Sequence, residues 1–359
     1  MQRDRFYELD ILRFIAAMSV VLFHYTFRWH AADSVEMPSF PALEKLCQYG
    51  YLGVDLFFII SGFVILLTVY GKNPTEFVIS RITRLYPAFV ASASLTAIAT
   101  IFLGDDEFRV SLVQYLINLT MVGDLLGAKF IDGVYWSLVV ELKFYFLIFL
   151  IIIFRQLKRI QILLGIWVIL ALITTAFNVP LRIGFILFPK WAAYFIAGAT
   201  FYLTYTEGVG RWKVIIIALS YCLAILNALD IVALRETNFR VDFSETAVIV
   251  IITSFYTMFF LIALRKTTFL KSKSLVKFGA LTYPLYLTHQ KIGYMLFNHL
   301  GNYLNNYLNK YLLLILIVGL MLLTAYVINL YVERKLAKPF KSLLTSFVAH
   351  CFSRGKRGE

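Results

Sequence analysis

Residues Asp10–Phe27 read DILRFIAAMSVVLFHYTF. Coiled as a helix this run is about 27 Å long, close to the ~30 Å hydrocarbon core of a bilayer. Yet it carries Arg13 and His24. An arginine at the centre of a membrane helix costs roughly 2.5–3.5 kcal/mol on insertion scales, so such residues face a cavity or a partner rather than lipid. The two are eleven residues apart, about three turns and about 16 Å of rise, which puts them on one face. Asp10, three residues before Arg13, shares that face. From this span alone two readings stand: an Asp10–Arg13 anchor with a satisfied buried histidine, or a functional polar stripe.

The same grease runs through the whole chain. Of 359 residues, 60% are hydrophobic, 17% aromatic and 15% charged, and the mean hydropathy is +0.77, far from a soluble domain. Apolar runs recur near 9–29, 52–70, 85–103, 133–154, 160–177, 183–205, 214–232, 246–264, 278–298 and 311–332. Backbone groups in lipid must be satisfied within the segment, so the expected fold is all-α, a polytopic bundle of about ten spanning helices. Residues 110–122 (VSLVQYLINLTMV) are too short and polar to cross and are expected to be interfacial or re-entrant.

Placing the N-terminus in the cytoplasm puts Arg3, Arg5, Lys72, Arg81, Arg84, Arg155, Lys158, Arg159, Arg211, Lys213, Arg265, Lys266, Lys271, Lys273, Lys277 and the basic tail inside, and GDDEF (104–108) outside. That positive-inside pattern predicts both termini cytoplasmic, in a multi-pass protein of the plasma membrane, the inner membrane in a bacterium. The net charge of +13 is then topology and attraction to anionic lipid, with no nucleic-acid partner. Arg13 and the lack of a small-x-small cleavage site argue for an uncleaved first span over a signal peptide. Cys47, Cys222 and Cys351 lack the spacing of a metal site or disulfide framework, and no metal site is expected. One membrane domain over 1–344, followed by a short basic tail over 345–359, is the expected organisation.

Other stretches carry polar groups within the grease. YGYLGVDLFFIISGFVILL (49–67) holds Asp55, with Gly53, Ser61 and Gly62 suited to close packing. SRITRLYP (80–87) sets Arg81 and Arg84 three apart at the inner end of the third span. Positive-inside decoration explains them, but guanidinium forks also suit phosphates. DGVYWSLVVELKFYF (132–146) places Glu141 and Lys143 mid-span, and a deep carboxylate near a deep histidine can fix its tautomer or support base catalysis. LTYPLYLTHQKIGY (281–294) holds His289 and Lys291 after Pro284, with structural and cavity-lining roles both open, and His30, His299 and His350 are read as solvated. No HExxH, GxSxG, phosphate-binding loop or dinucleotide fingerprint occurs.

Taken in order, ELDILRFIAAMSVVLFHY, GVDLFFIISGF, RITRLYP, YWSLVVELKFYF and YPLYLTH resemble the acyltransferase-3 family of integral membrane acyltransferases, which includes O-antigen and exopolysaccharide acetylases. The resemblance implies ten transmembrane helices and transfer of an acyl group, most commonly acetyl, from cytoplasmic acyl-CoA to an acceptor presented across the membrane. The acceptor would be a cell-envelope or exported glycan or glycolipid, such as lipopolysaccharide or an exopolysaccharide. The resemblance further implies acyl-CoA as co-substrate and no resident cofactor. Similarity makes His24 the catalytic residue, supported by Glu141, with Arg13, Arg81 and Arg84 holding the donor. Asp10, Asp55, Trp136, Ser137 and His289 are candidate lining residues. Some members carry an extra periplasmic hydrolase-like domain, and no such stretch is expected here.

Buried Arg, His and Glu also line substrate and proton paths, so a transporter or exporter of glycan intermediates is the rival class. No inverted repeat supports it. A lipid-binding scaffold without activity is a third reading.

Overall fold

The computed structural model describes residues 6–32, 39–105, 108–177, 187–267, 275–304 and 309–355, with no strand among them. Arg3, Arg5, Asp106, Glu107, Lys271, Lys273 and residues 183–186 and 356–359, used above, lie outside the described residues, as do the side chains of His30 and Cys351. Helix α1 (Tyr7–Phe23) continues through a π-helical turn (His24–Arg28) into a last turn, Trp29–Ala32. There follow α2 (Pro41–Cys47), α3 (Gly53–Val69), α4 (Pro74–Phe102) and α5 (Leu112–Asn118). Next come α6 (Trp136–Ile153), α7 (Ile160–Ala176), α8 (Pro189–Glu207) and α9 (Arg211–Phe239). The last are α10 (Glu245–Ala263), α11 (Leu275–Leu304), α12 (Lys310–Ile328) and, beyond a π turn at Asn329–Glu333, α13 (Arg334–Gly355).

Eight helical segments among the described residues are long and apolar enough to cross a membrane. The chain is an integral membrane protein built as a polytopic helical bundle. Two of the ten apolar runs, 183–205 and 278–298, coincide with α8 and α11, which are helical but fall outside those eight. Burial explains how α8 manages. Every residue from Ala192 to Thr204 is buried, so the helix meets protein on all sides and can carry Thr, Tyr and Gly where a lipid-facing helix could not. Thr200 and Thr204 return their hydroxyls to the Ile196 and Thr200 carbonyls, at 2.8 and 2.9 Å.

The chain packs as two compact units, one of residues 1–70 and 137–280, the other of 71–136 and 281–359. In the first, α8 is the centre, flanked by α3, α7, α9 and α10, and α1 lies along α3. The α3–α8 crossing is tight because both helices present glycine. A methyl on Gly62 would run into the Phe195 carbonyl, and one on Gly198 into that of Ile59. Around this contact Phe195 stacks with Phe58 at 4.7 Å and meets Phe144 of α6 at 4.5 Å.

In the second unit α4 begins with a capping box, Asn73 accepting from the Glu76 amide at 2.8 Å and Glu76 from the Asn73 amide at 3.2 Å, and with Pro74 in its first turn. The helix therefore starts well before residue 85, the expected edge of the span, and RITRLYP lies inside it. Pro87 does not end it. The stretch 110–122 forms only the seven-residue α5, about 10 Å of helix, too short to cross. Its Asn118, 2% exposed, ties the following loop by donating to the Lys129 carbonyl at 2.9 Å and accepting from the Ile131 amide at 3.1 Å.

Replacing Gly198 with valine forces α3 and α8 apart. Overpacking of this kind costs about 1–3 kcal/mol or more, and the expected result is a lower melting temperature in detergent and less monodisperse protein. Gly319, whose added methyl would meet nothing within 4 Å, should tolerate alanine as the control.

Candidate active site

His24 opens the π turn of α1 and is 5% exposed. Single π turns inside α-helices recur at functional sites because the extra residue re-aims side chains. The ring Nδ1 lies 2.8 Å from the Val20 carbonyl oxygen. A carbonyl only accepts, so Nδ1 carries the proton and, in the neutral ring, Nε2 carries the lone pair. Arg28, one turn on, brings Nη1 to 3.5 Å from Nε2. A buried imidazole whose tautomer is set by its own helix can take a proton at Nε2.

Beside it stands a cluster drawn from three other elements. Arg235 of α9 lies over the Tyr51 ring at 3.7 Å, with Phe23 and Phe239 at 5.3 and 5.7 Å. Asp55, 5% exposed, sits in the field of Arg235 and Lys190, near the Tyr194 hydroxyl. Of this group the sequence pointed only to Asp55; Tyr51, Lys190, Tyr194 and Arg235 were missed. The seventh apolar run, around 214–232, was taken to end before Arg235, whereas α9 continues to Phe239. Arg28 was legible as the residue one turn beyond His24 in HYTFR, but only the fold shows what Arg235 joins.

Glu141 sits on α6, where its Oε1 accepts from the Ser61 hydroxyl at 2.7 Å and from the Tyr145 hydroxyl at 2.5 Å. The carboxylate thus clamps α6 to α3 through Ser61. Ser137, 6% exposed, lies one turn earlier, and Trp136 begins the helix half-buried.

Near the other end of α1, Arg13 Nη1 pairs with Asp10 Oδ1 at 3.2 Å, and Asp10 is 8% exposed. Gly279 makes room for it, since a methyl there would lie 2.6 Å from that oxygen. The anchor pair proposed from sequence therefore exists. Arg81 and Arg84 belong to the second unit and differ: Arg81 is 7% exposed, lies 5.8 Å over Phe77 and donates to Ser80 Oγ at 3.0 Å, while Arg84 is exposed. Lys72 reaches the same Ser80 hydroxyl at 3.1 Å. His289, fully buried on α11, turns Nδ1 to the Tyr286 carbonyl at 2.8 Å. Nearby Asp132, also fully buried, accepts from the Lys291 amide at 2.9 Å.

A membrane-spanning helical bundle with a buried, tautomer-fixed histidine is the class this architecture defines. The chain belongs to the acyltransferase-3 family, whose model, described as an acyltransferase domain, matches residues 6–330. It is similar to the peptidoglycan O-acetyltransferase OatA of Listeria monocytogenes serovar 1/2a, 28% identical over 46% of this chain and 27% of that one. It is also similar to a Bacillus subtilis protein provisionally named peptidoglycan O-acetyltransferase YrhL, 26% identical over 38% of this chain and 18% of that one. The chain thus covers about a quarter or less of the length of these relatives. No solved structure matches it.

Because two hydroxyls depend on Glu141, Glu141→Ala leaves both without their acceptor. The expected loss is about 1–3 kcal/mol, read as a lowered melting temperature, whereas Glu141→Gln keeps the accepting oxygen and should melt close to the parent.

Proposed function

We propose that this protein is a membrane O-acyltransferase that moves an acyl group, acetyl in the simplest case, from cytoplasmic acyl-CoA to a hydroxyl of a cell-envelope or exported glycan. The observation that carries the reading is His24, in a chain of this family, with its proton held on Nδ1 by the Val20 carbonyl and Nε2 left as the base. The name of OatA, an O-acetyltransferase, and the provisional name of YrhL favour acetyl transfer to oxygen.

In the proposed reaction Nε2 takes the proton of the acceptor hydroxyl as its oxygen attacks the thioester carbonyl. A C–O bond forms, the C–S bond breaks, and the departing thiolate recovers the proton from His24. A transient acyl intermediate would divide the same exchange into two steps. Arg28 Nη1 lies 3.5 Å from Nε2, next to the nitrogen that acts as the base. Glu141 supports the site through the α3–α6 clamp. Arg13, Arg81 and Arg84 are proposed to hold the anionic donor at the cytoplasmic face, with both termini on that side and the protein in the bacterial inner membrane. Asp10, Trp136, Ser137 and His289 are proposed to line the path.

Purified protein given labelled acetyl-CoA and candidate glycans should place label on the glycan, and glycan movement without acylation would mark a transporter instead. His24→Ala, at equal expression, should lower transfer about 10²–10⁴-fold, the usual worth of a positioned base. Full activity in that variant would sink the assignment.

A further inference from the structure

Three cationic side chains collect at the His24 end of the first unit. Arg28, Lys190 and Arg235 gather there: Arg235 repels both Arg28 and Lys190, while Asp55 attracts Lys190 and Arg235, and Asp230 attracts Lys190. The carboxylates that act on them are the buried Asp55 and, for Lys190, the exposed Asp230. The Arg235 guanidinium lies over the Tyr51 ring with the Phe23 and Phe239 rings beside it, an aromatic surround of the kind that positions a guanidinium for a planar anion. The buried Nε atoms of Arg28 and Arg235, and the hydroxyl of Tyr51, itself 7% exposed, have no hydrogen-bond partner among the described residues. Buried donors are almost always satisfied, and orphaned ones in a cationic cluster call for an acceptor from outside the chain.

We infer that Arg28, Lys190 and Arg235, with the Tyr51 hydroxyl, form an anion-binding subsite beside His24 that takes a carboxylate or phosphate borne by the acceptor glycan. The inference rests on the acyl-transfer reading and adds to it the chemistry of the acceptor. Guanidinium forks pair with carboxylate or phosphate through two parallel hydrogen bonds. Arg28 links the subsite to the base, since it reaches both His24 Nε2 and the field of Arg235. An anion seated there would draw Arg28 away from Nε2, opening that nitrogen to the acceptor hydroxyl, and would hold the sugar against the imidazole. Charge on the acceptor would thus be read at the same place as its hydroxyl.

Binding can be measured without turnover. Full-length protein in nanodiscs would be titrated with glucuronate, glucose 1-phosphate, glucose and CoA, using tryptophan fluorescence or calorimetry. At least one of the two charged sugars should bind ten times or more tightly than glucose, and which one does separates a carboxylate from a phosphate. Arg235→Gln should lower that affinity at least tenfold, Arg235→Lys less, and His24→Ala should leave it nearly unchanged. Should Arg235→Gln fail to fold, Lys190→Gln provides the same reading from a half-buried position. Equal binding of glucose, charged-sugar affinity unchanged in Arg235→Gln, or competitive displacement of the charged sugar by CoA would each overturn the assignment, the last by giving the anion site to the donor. Because binding is read in His24→Ala as well, failure of the subsite is distinguishable from failure of His24 as the base.

Discussion

Gly62 and Gly198 let the backbones of α3 and α8 touch, and the first unit is arranged around that contact. Helices that approach this closely cannot slide, because each glycine faces a carbonyl of its neighbour. The register then brings the early turns of both helices to one end: Asp55 from α3, Lys190 and Tyr194 from α8. The candidate acceptor subsite and its position beside His24 therefore follow from two missing methyl groups about a turn or two away. Without a hydrophobic drive between helices in lipid, close contact and hydrogen bonds carry association, and Ser61–Glu141–Tyr145 supplies the second kind.

Enclosure is the other organising consequence. Hydrocarbon offers no partner to a polar group, so every hydroxyl, ring nitrogen or charge must find one in protein. Threonines return their hydroxyls to their own helix, His24 and His289 each turn Nδ1 to a carbonyl of theirs, and Glu141 gathers two hydroxyls from two helices. Among the described residues the Nε donors of Arg28 and Arg235 and the Tyr51 hydroxyl are among the exceptions to this economy, and these three gather at one end of the first unit.

Much of this was legible in the residues. Apolar length gave the bundle, and helical phase put Asp10, Arg13 and His24 on one helix face. The motif order carried the family likeness from the first span to YPLYLTH. Other features were not legible. The start of α4 depended on the Asn73–Glu76 box rather than on hydropathy. The extension of α9 to Arg235 ran past the apolar run. The partners of Glu141 came from residues 80 positions away and one turn away, and spacing alone could not choose between them and His24.

By itself, then, the sequence determined that the chain is a membrane-embedded helical bundle, which polar residues it must shelter, and the family to which it belongs, because lipid penalises polarity at every position independently of neighbours. Only the tertiary structure decided which sheltered groups meet. Pairing Asp10 with Arg13, tying Glu141 to Ser61 and Tyr145, and gathering Arg28, Tyr51, Asp55, Lys190 and Arg235 at one end depend on helix register. Register is set by a few glycine contacts whose energy comes from both helices at once, and no single stretch of sequence encodes it.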